Sequence, residues 1–106
     1  MAKTVTTADF QSLVDGAKVP VVLDFWAAWC GPCRSFASVI DRFSQDYEGR
    51  VIVGKVNVDE EPQLAEKFRV MSIPTVLIFK NGQLVDTLVG SRPLDSLAAS
   101  VNAHLG

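Results

Sequence analysis

The chain carries two cysteines and no others, in the run Trp29-Cys30-Gly31-Pro32-Cys33. They fall where a long apolar stretch gives way to a helical pattern. Two thiols three positions apart in the first turn of a helix can close a disulfide with little backbone movement. The unpaired N–H groups and the macrodipole at a helix N-terminus favour negative charge, so a cysteine there ionises more readily. Only the thiolate attacks a disulfide, so this placement turns a small hydrophobe into a redox group. Cys30, at the exposed helix tip, is the expected attacking sulfur. Cys33, one turn in, is expected to be more buried and to resolve the mixed disulfide. Gly31 lets a partner chain approach, and Pro32 at an early helical position costs no hydrogen bond.

A second group stands out against its surroundings. Asp24 lies inside the most apolar segment, Val19 to Trp29. A bare buried charge is expensive, so an ion pair or a strand end reaching water is the plain explanation, with Lys55 on a neighbouring strand as the partner. Two thiols and the distant His104 do not complete a four-ligand zinc site within one chain, although a dimer sharing cysteines could.

These residues need a scaffold, and the chain has the material for one. Its 106 residues suit a single domain, 1–106, with a core that needs no staples. It is 48% hydrophobic and 21% charged, with a formal charge of −2. There is no Lys/Arg run, which argues against a nucleic-acid or anionic-membrane partner. The Val19–Trp29 stretch is too short to span a bilayer, and the first residues lack the apolar segment of a secretory signal. The resulting expectation is a cytoplasmic protein, and in that compartment a close cysteine pair is catalytic or metal-binding rather than structural.

The elements alternate. A short strand at Lys3–Val5 precedes a helix capped by Thr6 or Thr7, with Phe10, Leu13 and Val14 on one face and Gly16 at its end. Val19–Trp29 reads as a central strand covered on both faces. After Pro32 the residues Phe36, Ile40, Phe43 and Tyr47 form one stripe of a helix ending near Gly49. Val51–Val58 reads as an interior strand with Gly54 and Lys55 as its oddities. Asp59, Glu60 and Glu61 suit the start of a helix carrying Leu64, Ala65 and Phe68. Pro74–Phe79 and Leu84–Val89 flank Asn81-Gly82, a favoured hairpin turn. Leu94, Leu97, Ala98, Val101 and Leu105 make the apolar face of a last helix. The order βαβαβαββα points to an α/β domain with a mixed sheet.

Over nearly its whole length the chain resembles the thioredoxin family. The matching blocks are Asp24-Phe25-Trp26-Ala27-Ala28-Trp29-Cys30-Gly31-Pro32-Cys33, Val56-Asn57-Val58-Asp59, Ile73-Pro74-Thr75, Phe79-Lys80-Asn81-Gly82 and Val89-Gly90. The resemblance implies the thioredoxin fold, a central mixed five-stranded sheet flanked by four helices, with the cysteine pair at the top of the second helix. It implies a general protein-disulfide reductant with no bound cofactor, recharged by an NADPH-dependent thioredoxin reductase and acting as a monomer on disulfide-containing proteins.

For single residues the resemblance makes Asp24 a buried acid of raised pKa that takes the proton of Cys33. It makes Trp29 a half-exposed platform beside the dithiol and Trp26 the more buried of the two. It implies a cis Ile73–Pro74 bond facing the cysteines, whose backbone pairs with an extended substrate, and it gives Gly90 the task of leaving room for the partner's chain. Two other functions remain open. An oxidant or isomerase of the same fold usually has a histidine between its cysteines, where this chain has Gly-Pro. A non-catalytic clamp would need neither cysteine. The chain also departs from the family pattern. Ser38 stands where a helix-kinking proline is frequent, Arg69 where glycine is usual, Met71 where a basic residue is common, and Pro93 near a capping serine or threonine.

Overall fold

The computed structural model describes residues 2–105, so Met1 and Gly106, the ends of the expected 1–106 domain, lie outside it. Its framework is β2, Val21–Trp26, whose first five residues are all buried. β2 pairs in parallel with β3, Ile52–Asn57, and antiparallel with β4, Thr75–Lys80. β1, Lys3–Thr4, extends the β3 edge in parallel, and β5, Gln83–Val89, extends the β4 edge antiparallel. The five-stranded sheet therefore runs β1-β3-β2-β4-β5, mixed as expected. Four helices complete the order β1-α1-β2-α2-β3-α3-β4-β5-α4: α1 is Thr7–Gly16, α2 Gly31–Asp46, α3 Pro62–Lys67 and α4 Leu94–Asn102.

Strand alternation sends successive side chains to opposite faces. Val22, Val76 and Ile78 meet Phe36, Ile40 and Phe43 of α2 and Leu97 and Val101 of α4 on one face. Val21, Leu23, Phe25, Leu77 and Phe79 meet Phe10 and Val14 of α1 and Leu64 of α3 on the other. Being covered twice is why β2 and β4 read as apolar runs.

Several expected boundaries shift, each for a local reason. β2 is shorter than Val19–Trp29 because Pro20 has no N–H for the ladder, and because Ala27–Trp29 leaves the sheet to reach α2. At that exit the Cys30 N–H donates to the Ala27 carbonyl at 3.2 Å. α1 starts on a capping box in which the Asp9 N–H donates to Thr6 Oγ1 at 3.3 Å and the Thr6 N–H donates to Asp9 Oδ1 at 2.8 Å. The acidic run Asp59–Glu61 precedes α3 instead of opening it. The side-chain oxygen of Asn57 captures the N–H groups of Asp59 and Glu60, and Pro62 starts the helix with its fixed φ. α2 stops at Asp46, three residues short of Gly49, with Tyr47 as its C-cap.

The sequence oddities also find causes. Gly54 faces its neighbours so closely that an added Cβ would sit 2.6 Å from a Val5 methyl and 2.8 Å from a Leu23 methyl. Arg69 has φ +54°, the left-handed conformation that explains why glycine suits this position. There it closes α3, with the Val70 N–H on the Ala65 carbonyl at 2.8 Å and the Arg69 N–H on the Glu66 carbonyl at 3.1 Å. Asn81 and Gly82 both have positive φ, as a tight hairpin turn requires.

α2 runs unbroken through Ser38, whose hydroxyl donates to the Ser35 carbonyl at 3.0 Å. A proline at 38 would remove a ladder N–H and press its ring on the preceding turn. Ser38→Pro is therefore expected to cost up to about 3 kcal/mol in denaturant melts. A variant as stable as its parent would mean that the surrounding packing already accommodates a bend there.

Candidate functional site

The end of β2 and the start of α2 put the two sulfurs in one place. Cys30 is the N-cap of α2, in extended conformation, with Gly31 and Pro32 as the first helical residues. Cys30 and Cys33 are joined by a disulfide, their Cα atoms 5.2 Å apart. The Cys33 N–H donates to Cys30 Sγ at 3.1 Å. A sulfur thus occupies the capping place that Ser, Thr, Asp or Asn oxygens normally take, among the unpaired N–H groups of the first turn. The same N–H points at the seat of a Cys30 thiolate, which hydrogen bonding and the helix dipole both favour.

One expectation needs correcting. Cys30 was expected at an exposed helix tip, yet it is only 5% exposed, against 2% for Cys33. Both sulfurs pack with Ala27 in a small cluster that Trp26, Val58 and Ile73 close from the sides. The helix tip is covered because the loop before Pro74 crosses it. Cys30 Sγ lies 3.8 Å from the Ile73 carbonyl oxygen. The Ile73–Pro74 peptide bond is cis, and the Gly90 N–H donates to the Pro74 carbonyl at 2.8 Å. Gly90 has φ +92°, and a Cβ there would meet nothing within 4 Å, so glycine is required by its backbone angle and leaves open space beside the loop.

Trp29 and Trp26 divide as expected. Trp29 is 68% exposed, and its indole N–H donates to Asp59 Oδ2 at 2.8 Å, whereas Trp26 is partly buried. Asp59 escaped the sequence reading as a site residue. It lies within the Val56–Asp59 block, but its aim at Trp29 follows only from the turn after β3. Met71, in the loop before Pro74, is 93% exposed and continues an apolar surface with Val89. Arg34, next to Cys33, donates to the Ala28 carbonyl at 3.0 Å and steadies the bend between β2 and α2.

Asp24 is 1% exposed, and neither of its carboxylate oxygens has a hydrogen-bond partner among the described residues. By alternation it shares the face of β2 that α2 covers, the face of Val22. Burial pushes its pKa up from 3.8 to about 7; the Lys55 ammonium pulls it down, and the Asp41 carboxylate on α2 adds a smaller upward push. Lys55 is the register partner of Asp24 across β2 and β3, but no ion pair joins them. Its ammonium instead lies 5.0 Å from the centre of the Trp26 ring. The plain ion-pair explanation for Asp24 therefore gives way to an isolated, proton-binding acid. Among the described residues no three His, Cys, Asp or Glu side chains come together to hold a metal.

An acid that binds its proton more tightly in the fold than in the open chain weakens stability as pH rises between the two pKa values, here from 3.8 to about 7. Asp24→Asn is accordingly expected to stabilise the oxidised protein most above pH 7, by up to about 4 kcal/mol, with the gain shrinking as pH falls toward the ordinary carboxylate range. Denaturant melts across that span check it. A gain independent of pH would mean that Asp24 titrates normally.

Two sulfurs that exchange a pair of electrons as dithiol and disulfide, beside an open backbone loop, are the working parts of a protein-disulfide oxidoreductase. Comparison with known proteins agrees. The thioredoxin family model matches residues 1–103. Thioredoxin 1 of Nostoc sp. is 49% identical over 104 residues, covering 98% of this chain and 97% of its own length. Thioredoxin 1 of Synechococcus elongatus is 49% identical over 105 residues, covering 99% and 98%. A Staphylococcus aureus thioredoxin is 48% identical over 101 residues, covering 95% of each. The chain belongs to the thioredoxin family and is a general protein-disulfide reductant built around the Cys30–Cys33 pair. No helix among the described residues is long and apolar enough to cross a membrane.

Proposed function

We propose that Cys30 is the attacking sulfur and Cys33 the resolving one, with Asp24 as the proton acceptor for Cys33. The observation that carries this reading is the bond from the Cys33 N–H to Cys30 Sγ, which favours negative charge on Cys30 alone. The Cys30 thiolate attacks one sulfur of a target disulfide. A Cys30–target bond forms, the target S–S bond breaks, and the other target sulfur leaves as a thiolate. Cys33 then gives its proton to Asp24 and attacks Cys30 Sγ. The intramolecular disulfide forms, the second target sulfur leaves, and two electrons have passed to the target. A carboxylate with a pKa of about 7 can take up and release that proton near neutral pH.

In the same proposal an extended target strand lies against Ile73, Pro74 and Gly90, beside Gly31 and Pro32. Trp29, tethered to Asp59, and Trp26, under Lys55, wall the site. The protein acts as a single-domain monomer in the cytoplasm and is recharged by an NADPH-dependent reductase.

Cys33→Ser is expected to accumulate mixed disulfides with proteins of a lysate, seen as high-mass bands without reductant, while Cys30→Ser accumulates essentially none. Equal trapping by both would overturn the assignment of roles. Asp24→Asn is expected to slow resolution of the mixed disulfide near neutral pH, and a turnover unchanged across the thiol titration would leave Asp24 without that role.

A further inference from the structure

A cleft of about 310 Å³ lies beside the site, between the start of α2 and the loop from β5 to α4. Ser35, Phe36 and Val39 form one wall, and Ser91, Arg92 and Pro93 form the other. Both walls continue from residues already placed at the dithiol. Ser35 and Phe36 are three and four positions past Pro32 in α2 and so share its face of the helix. Arg92 is two positions past Gly90, whose N–H is bonded to Pro74.

Arg92 is out of keeping with this setting. It is partly buried in a cleft with an apolar floor, and its guanidinium makes no hydrogen bond and no ion pair among the described residues. Its Nε is buried with no acceptor in reach. A desolvated donor without a partner is costly, and more so when charged. Three other arginines are engaged, Arg34 with the Ala28 carbonyl, Arg42 with Asp46 and Arg50 with the face of Tyr47, while Arg69, which has no side-chain partner among the described residues either, is exposed to solvent. Asp95, three residues further on in the first turn of α4, makes no ion pair with Arg92. Pro93 caps α4 without offering a side-chain acceptor.

We propose that Arg92 is a specificity-determining residue: it pairs with the carboxylate of an aspartate or glutamate lying a short distance along the target chain from the cysteine under attack. This inference rests on the reading that Cys30 attacks the target sulfur while the target chain docks against Ile73, Pro74 and Gly90. An extended chain advances about 3.3 Å per residue, so an acidic residue a few positions from the target cysteine reaches the cleft while its sulfur meets Cys30. Guanidinium geometry suits a carboxylate, and the cleft shields the pair from water on one side. The protein thereby prefers disulfides with a nearby acidic residue, while Trp29 and Met71 offer only an apolar surface.

The test uses synthetic peptides with a single cysteine bonded to an aromatic thiol reporter. Cys30 Sγ bonds to the peptide sulfur, the peptide–reporter bond breaks, and the reporter leaves as a coloured thiolate, the better leaving group. One glutamate, or one glutamine in its place, is walked along the residues on either side of the cysteine. With the reduced parent protein, the glutamate peptide is expected to react about fivefold faster than its glutamine counterpart at one register, and the advantage should fade with added salt. In Arg92→Leu, and in Arg92→Gln, which keeps a polar stem, the glutamate-to-glutamine ratio is expected to fall to about one. A parent ratio of one or less at every register would overturn the proposal, as would a ratio that survives both substitutions. The underlying reading fails separately, if Cys30→Ser releases the reporter as fast as the parent whatever the peptide.

Discussion

The hydrogen bonding of β2 along both of its edges is the constraint on which the rest of the molecule depends. Held in parallel by β3 and antiparallel by β4, β2 cannot slip by one residue without exchanging every side chain between the two cores. That fixed register sets the height and direction at which the chain leaves the sheet at Ala27. It then sets where the Cys30 cap of α2 sits against the loop that enters β4 at Thr75. The two halves of the site come from segments more than forty residues apart, and adjacent strands bring them together.

The same strand carries the chief conflict in the structure. A position that ought to hold valine or isoleucine holds Asp24, with no partner for either oxygen among the described residues. Lys55 stands across the ladder, but its ammonium lies over Trp26. Good packing would remove such a group; the proton transfer proposed for Cys33 needs one. Local stability and chemistry pull apart at this residue, which is where function is expected to override the rules of folding.

Much of this was legible in the sequence because the signals were strong and local. The dithiol motif, the switch from an apolar run to a helical stripe, and the Asn81-Gly82 turn each specify their own geometry. The errors lie where a local signal met a competitor. Acidic residues at 59–61 looked like a helix start, but the Asn57 side chain holds the preceding turn and Pro62 delays the helix. Cys30 looked exposed because a helix tip usually is, and only the long-range approach of Ile73 covers it. Gly54 is odd in sequence for a reason no local pattern contains: Val5, just past β1, and Leu23 of β2 close in on it from either side. The bond from Trp29 to Asp59 is of the same kind, two visible residues whose relation exists only after folding.

The use of a sulfur as the helix cap ties electron transfer to folding. In the disulfide, Cys30 Sγ is a neutral and weak acceptor for the Cys33 N–H; as a thiolate it becomes an anionic one at the positive end of α2. Oxidised and reduced proteins, each folded or unfolded, form a closed thermodynamic cycle. Any difference in stability between the two folded forms must therefore reappear as a difference between the reduction potentials of the folded and unfolded chains. A substitution in the first turn of α2 that steadies one form more than the other retunes how readily the protein gives up its electrons, without altering either sulfur.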